Sequence, residues 1–419
     1  MVVEPPVANG GAYERIPDED QGRQDGRPFF PYARLLNGEI PPERPGWQAF
    51  TRPDDLYGVA GTVARRPGQW PAWEVPRLVL FALVVIPLRL ALVAVPFVLW
   101  LVLILLSRPI RPLAPLALFI AQHGSRLLLF AFGFHYIEYR ALPGCEKEPL
   151  RERKRPIMAV SNHSSYLDIV VHCYLHCPGY VARAGTARTP LLGAIAQTFG
   201  CLYVERDKAR ARALGRTVAN VSKAVADRAV SNAERQAARR SFRPLCMFPE
   251  GTTSNGQQLL HFHRGAFLAG TAVKPYIIKY PPVTVSPTWE SIGIVRQLFL
   301  LMCAPWNRME ITEMPLYVPN ARERADPALY AEGVRREMAR VGGLGVTDAG
   351  FKEHMDYIAA IKESLAARRK GVDLHCAGWV APEEVSTGTV GTMNGSARSD
   401  GGSTHGVVEE KGAERKVSP

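Results

Sequence analysis

Apolar positions are gathered very unevenly along the 419-residue chain. Across residues 78–106 only Arg89 is charged, and residues 90–106 carry no charge at all. A helix of that whole stretch would measure ~44 Å, longer than the ~30 Å hydrocarbon core of a bilayer. Pro87 and Pro96 interrupt it and argue against a straight rod. A second apolar stretch, residues 113–134, is broken by Gln122, His123 and Arg126. Together they predict a membrane-anchoring helical segment over 77–136, either a tilted spanning helix or a kinked hairpin that dips into one leaflet. Arg65, Arg66 and Arg77 precede the first stretch and Arg108 and Arg111 follow it, so charge sets no orientation.

From residue 137 the pattern changes. Short apolar runs bounded by turn residues, at 157–160, 180–182, 201–204, 245–248 and 273–280, read as buried strands. Helical stretches lie between them, the longest over 208–240. The expected fold is α/β, with a mixed, largely parallel sheet covered by helices over 137–370. Residues 1–76 alternate Pro, Gly and charge and read as a disordered cytosolic arm, with Trp47, Trp70 and Trp73 as candidates for a membrane interface. Residues 371–419 read as a disordered, low-complexity tail.

Composition narrows the function. Apolar residues make up 47% and charged residues 21%, enough for a sizeable core. The net charge of +12 suggests an anionic partner: nucleic acid, an anionic membrane face or a phosphorylated substrate. No helix-turn-helix, zinc finger or aromatic RNA-binding strand is present, so no nucleic-acid partner is expected. Seven scattered cysteines do not form a disulfide framework and suggest a reducing compartment. The first 30 residues hold no apolar run, so no secretory signal peptide is expected. Residues 205–243 carry 11 Arg or Lys against 4 acids. These basic residues could meet phosphates or headgroups, or form a solvated helix face.

The densest candidate chemistry is Asn162-His163-Ser164-Ser165-Tyr166-Leu167-Asp168, between a predicted strand and a predicted helix. A histidine at a strand's end can face a cleft, and an acid five residues on can reach its ring. Such a pair suits removal of a proton from an alcohol: the imidazole accepts it, and the carboxylate fixes the tautomer and stabilises the charged ring. Ser165 to Asp168 also fits a helix capping box, with Asp168 merely satisfying amides. His172-Cys173-Tyr174-Leu175-His176-Cys177 places His and Cys at helical spacing without a second ligand pair, so no metal is expected.

Four segments together resemble the glycerophospholipid acyltransferase family. Asn162-His163-x-x-x-x-Asp168 is similar to its first signature, and Gly200-Cys201-Leu202-Tyr203-Val204-Glu205-Arg206 to its second. Phe248-Pro249-Glu250-Gly251-Thr252-Thr253-Ser254 is similar to the third, and Ala272-Val273-Lys274-Pro275-Tyr276-Ile277-Ile278 to the fourth. Met314-Pro315-Leu316-Tyr317-Val318-Pro319, Asp326-Pro327-Ala328-Leu329-Tyr330-Ala331, Val346-Thr347-Asp348 and the extension through Asn255-Gly256 resemble the lysophosphatidylcholine and lysophosphatidylethanolamine branch. Members of that branch often carry EF-hands. No such loop occurs here, so calcium regulation is not expected.

The resemblance implies an O-acyltransferase that uses acyl-CoA as co-substrate, with no bound cofactor. It would esterify the free hydroxyl of a lysophospholipid at a membrane, on an endoplasmic reticulum surface facing the cytosol. His163 would be the base and Asp168 its orienting partner. Arg206, Glu250, Gly251, Thr252 and Thr253 would bind substrate, Arg206 by holding the acceptor's phosphate. Alternatives are acylation of 1-acylglycerol 3-phosphate or glycerol 3-phosphate, and a catalytically silent membrane or lipid-droplet anchor.

Overall fold

The computed structural model describes residues 29–36, 38–51, 74–106, 110, 113–183, 189–204, 218–281, 286–288, 294–373 and 378–380. The strands are β1 (Phe29–Pro31), β2 (Glu138–Ala141), β3 (Met158–Ser161), β4 (Val181–Arg183), β5 (Leu202–Val204), β6 (Leu245–Met247), β7 (Gln258–Leu259), β8 (Lys274–Lys279), β9 (Glu310–Glu313), β10 (Gly345–Val346) and β11 (Gly378–Val380).

The central sheet has the order β2-β9-β8-β3-β6, with every pair parallel except β8–β9. The parallel pair β4–β5 continues it beyond β6, through the Gly179 carbonyl accepting from the Cys246 amide at 2.9 Å. Strand β3 is buried at every position, as expected of a strand covered on both faces. One face packs on the helices Val218–Ala237 and Pro327–Gly342, burying Val225, Ala229, Val334 and Met338 around Met158 and Val160. The other packs on Leu167–His176 and Ile294–Cys303, burying Leu167, Val171, Tyr276 and Leu301. The mixed, largely parallel α/β sheet is as the hydrophobic pattern predicts.

The apolar segment is one helix over Pro76–Leu106, 31 residues long, and 6% of its most apolar window is buried. Its length and composition suffice to cross a membrane. That low burial is unlike the core helix of a soluble protein. Phe81–Val85 wind as a wider π turn just before Pro87. In a regular helix the Pro87 ring would strike the carbonyl four residues back, which falls inside that turn. The second stretch forms Ala114–Ala131, which turns back against the first, with Ile104 and Ala117 buried together. It also docks on the sheet domain, where Gln122 donates to the carbonyls of Tyr174 (3.0 Å) and Leu175 (3.2 Å).

Arg89, the one charge in the apolar run, is buried. It donates to the carbonyls of Met302 (2.6 Å), Ala304 (3.0 Å) and Pro305 (3.2 Å). These carbonyls lie at the C-terminal end of Ile294–Cys303, where a helix leaves acceptors unpaired and favours a cation.

The predicted disordered arm needs correction. Residues 29–36 and 38–51 pack on the sheet domain, and β1 pairs antiparallel with β11, which was expected to lie in the disordered tail. Trp47 is fully buried rather than interfacial, 4.7 Å from the Trp379 ring and 5.7 Å from Tyr357. Isolated aromatics among prolines give no local period, and only contacts distant in sequence order them. Trp70, Trp73 and residues 381–419 lie outside the described residues.

Candidate active site

Strands β3, β6 and β8 are parallel, so the residues following them share one edge of the sheet. His163 follows β3, Phe248 to Glu250 follow β6, and Tyr280 follows β8. Outside the carboxyl ends of such strands is where α/β folds build clefts.

Asn162 fixes the turn. Its Nδ2 donates to the Ile278 carbonyl and its Oδ1 accepts from the Ile278 amide, both at 2.8 Å, so a side chain completes the ladder where β3 ends. His163 then turns its ring onto Phe248, with centroids 4.2 Å apart and planes 19° apart. Its Nδ1 lies 2.9 Å from Asp168 Oδ2. A carboxylate accepts only, so Nδ1 carries the hydrogen and the lone pair is on Nε2.

Asp168 is wholly buried. Its Oδ2 also accepts from the amides of Ser164 (2.7 Å) and Ser165 (2.9 Å), and its Oδ1 from the Tyr280 hydroxyl (2.5 Å). Four donors match the acceptor capacity of an ionised carboxylate. The capping contact and the ring contact therefore coexist in one side chain: binding the amides aims the carboxylate at the histidine. Burial and the Asp168 charge hold the Tyr280 phenol well above its usual range, which keeps it a donor.

Glu250 is buried as well. Its Oε1 accepts from the His163 amide at 2.7 Å and its Oε2 from the Leu260 amide at 3.0 Å. Burial pushes the carboxyl up to about 8, against the pull of these two amides. With both oxygens engaged and no exposed surface, it holds the turn that carries His163.

Gly251 follows at φ +71°, with His263 Cδ2 2.9 Å from where a Cβ would stand. Gly256, at φ +76°, closes the same loop over His163's neighbour, with Ser164 Oγ 2.8 Å from its missing Cβ. Thr252 is buried and shares a 2.5 Å hydrogen bond with His354 Nδ1, so its hydroxyl braces helix Phe351–Arg369. Burial lowers His354 to about 4 and keeps the ring neutral in that contact. Gly251 is exposed and Thr253 half-buried. Arg206 lies outside the described residues.

Two supporting residues carry no local signal for their contacts in the sequence. Tyr280 and His354 act on positions 112 and 102 residues away. Asn255 donates to the carbonyls of Gln48 (2.8 Å) and Thr51 (3.1 Å), tying the loop to the N-terminal strap.

Residues 144–286, which contain His163, Asp168, Glu250 and Tyr280, match the acyltransferase family model. Among curated relatives, the lysophospholipid acyltransferase LPEAT1 of Arabidopsis thaliana is 36% identical over 263 residues, 58% of this chain and 64% of that protein. Lysophospholipid acyltransferase LPCAT4 of Xenopus tropicalis is 32% identical over 64% of this chain and 50% of its own length. The lysophosphatidylcholine acyltransferase of Drosophila melanogaster is 34% identical over 55% and 40%. The chain thus spans less than two thirds of the length of each of these three relatives. A solved structure, the 1-acyl-sn-glycerophosphate acyltransferase PlsC from Thermotoga maritima, overlaps 64% of this chain and 97% of its own. At 14% identity and a TM-score of 0.37 the likeness is too loose to argue from.

Proposed function

We propose that the chain is an acyl-CoA-dependent lysophospholipid acyltransferase that esterifies the free hydroxyl of a lysophospholipid of the phosphatidylcholine or phosphatidylethanolamine class. The observation that carries this reading is the His163 Nδ1–Asp168 Oδ2 hydrogen bond at the end of β3, inside the segment that matches the acyltransferase family model. The acceptor hydroxyl gives its proton to His163 Nε2 as its oxygen attacks the thioester carbonyl. The tetrahedral adduct then collapses, breaking the C–S bond, and the imidazolium returns the proton to the departing CoA sulfur. Asp168 holds the ring in the required tautomer throughout and stabilises its transient charge. Arg206, Gly251 and Thr253 are the proposed phosphate-binding groups, with the loop amides beside them.

The long apolar helix supports work at a bilayer, where both substrates partition. Among the described residues Cys145, Cys173, Cys177, Cys201, Cys246 and Cys303 form no disulfide, which suits a domain facing the cytosol, and the endoplasmic reticulum is the proposed membrane.

The test is transfer of labelled acyl groups in microsomes carrying the parent or His163→Ala. Acceptors are lysophosphatidylcholine, its ethanolamine and serine counterparts, lysophosphatidic acid and glycerol 3-phosphate. Transfer to the first two by the parent alone is expected. Preference for the last two would move the chain to the other acyltransferase reading, and no transfer at all would leave an anchoring protein.

A further inference from the structure

The helix Val218–Ala237 presents Arg228, Ser231, Asn232 and Arg235 at i, i+3, i+4 and i+7, one stripe of its surface. With Phe242 and Arg243, which lead into β6, this stripe lines a cavity of about 280 Å³. The cavity is separate from the catalytic cleft. Leu245 stands opposite Met158 in the parallel pair β3–β6, so Phe242 and Arg243 lie before the start of these strands, whereas His163 follows their end.

Among the described residues the lining holds three guanidinium groups and no carboxylate. Arg235 gives one nitrogen to the Ser241 carbonyl at 3.1 Å and Arg243 one to the Thr198 carbonyl, which leaves most of each five-donor fork for another acceptor. Arg228 Nη1 and Arg243 Nη1 each stand 3.8 Å from the point where a Cβ on Gly200 would sit, so they are at most twice that apart. Both side chains are half-buried. Burial pulls Arg243 below its ordinary value, and the nearby Arg228 and Arg155 add to that. Two like charges held together away from water are costly until an anion lies between them.

The cavity also adjoins the membrane anchor. The Thr198 carbonyl and Gly200 close the helix Pro190–Thr198, whose Ala194 is buried against Ile104 and Ala117. The Phe199 ring lies 6.2 Å from Trp100. Trp100 precedes the end of the apolar helix by six residues, roughly 9 Å along its axis. The helix is longer than the ~30 Å hydrocarbon core needs, so this level falls near the headgroup layer. The volume sits at the lower limit of ~300 Å³ for small-molecule pockets, room for a headgroup-sized anion rather than a whole nucleotide.

We propose that the cavity between Arg228, Arg235 and Arg243 binds a phosphate group, presented by an anionic membrane lipid or as the free ion. This site is independent of the acyl-transfer reading. Hydrogen exchange of residues 218–243 in the full chain is measured in phosphatidylcholine nanodiscs, alone, with phosphatidic acid included, and with inorganic phosphate added. Slower exchange with either anion is expected, and the arm that gives it identifies the source. The double variant R228Q/R235Q spares Arg243, which holds Thr198, and should raise the half-saturating concentration at least about ten-fold. R228K/R235K keeps the charge and should retain binding, which guards against misfolding. No protection with either anion, protection unchanged in R228Q/R235Q, or equal loss in both variants would overturn the site.

Discussion

Glu250 accepts the backbone amide of His163 at 2.7 Å across 87 positions of sequence, while its other oxygen holds Leu260. A buried acid thus anchors the main chain of the residue proposed as catalytic base. Its carboxyl is raised to about 8 by burial, so between the ordinary carboxylate range and pH 8 the folded chain retains a proton that the unfolded chain has released. Stability contributed by this group is complete at low pH and falls as pH rises towards 8. Glu250→Gln, neutral at every pH, should flatten that decline, read as the difference in melting temperature between pH 5 and pH 8. It should also slow turnover about ten-fold through the lost amide anchor. An unaltered pH slope would count against ionisation of Glu250 in the fold.

Asp168→Asn tests the orienting role separately from folding. The amide keeps the size of the carboxylate but offers one acceptor oxygen to four donors, and its NH2 favours the wrong tautomer of His163. Turnover should fall about 10²–10⁴-fold, with the Michaelis constant for the lysolipid little changed. Tyr280→Phe removes one of the four donors and should cost about ten-fold or less. Equal losses in the two variants would place the effect in folding rather than in the tautomer.

The core of the fold was legible because its strands are covered on both faces. All five predicted runs overlap an observed strand, displaced by no more than one residue at either end. Strands β2 and β9 gave no signal: β2 is exposed at every position, and β9 alternates around Glu310 and Glu313. A buried acid in a strand is tolerable only through partners brought from elsewhere. Burial raises Glu313, but hydrogen bonds from Arg153, Tyr139 and Lys274 hold it at about 2. The contact between His163 and Asp168 was legible because its spacing is local. The contact between Thr252 and His354 was not legible for the opposite reason, since its partner lies on the distant helix Phe351–Arg369.

The N-terminal strap should matter to the active site although it touches no reacting atom. Trp47 fills a fully buried position between Tyr357 and Trp379, and the next turn delivers the carbonyls that hold Asn255. Trp47→Ala should cost about 3–5 kcal/mol from the cavity it leaves, measured by chemical denaturation. Turnover should drop at temperatures well below the melting point, because Asn255 and Ser254 carry the loop whose amide meets the His163 carbonyl at 2.9 Å. Trp47→Phe should do far less on both counts, since the indole nitrogen has no hydrogen-bond partner. Full activity in a destabilised Trp47→Ala would show the strap to be structural alone.

Arg89 is a charge placed in the most apolar stretch of the chain, and its partners explain why it stays there. Three carbonyls at the end of Ile294–Cys303 converge on one planar donor fork, and Arg77 adds a bond of 2.6 Å to the Cys303 carbonyl. Arg89→Met preserves the apolar bulk but strands those acceptors, each worth about 1–3 kcal/mol when left unpaired in a buried site. If the guanidinium locks the long helix to the sheet domain, the variant should lose several degrees in melting temperature in detergent. Hydrogen exchange at Ile294–Cys303 should accelerate while that of Met158–Ser161 stays slow. Arg89→Lys, a point charge without the fork, should recover only part of the loss. A variant as stable as the parent would mean that the two elements are held together by apolar packing alone.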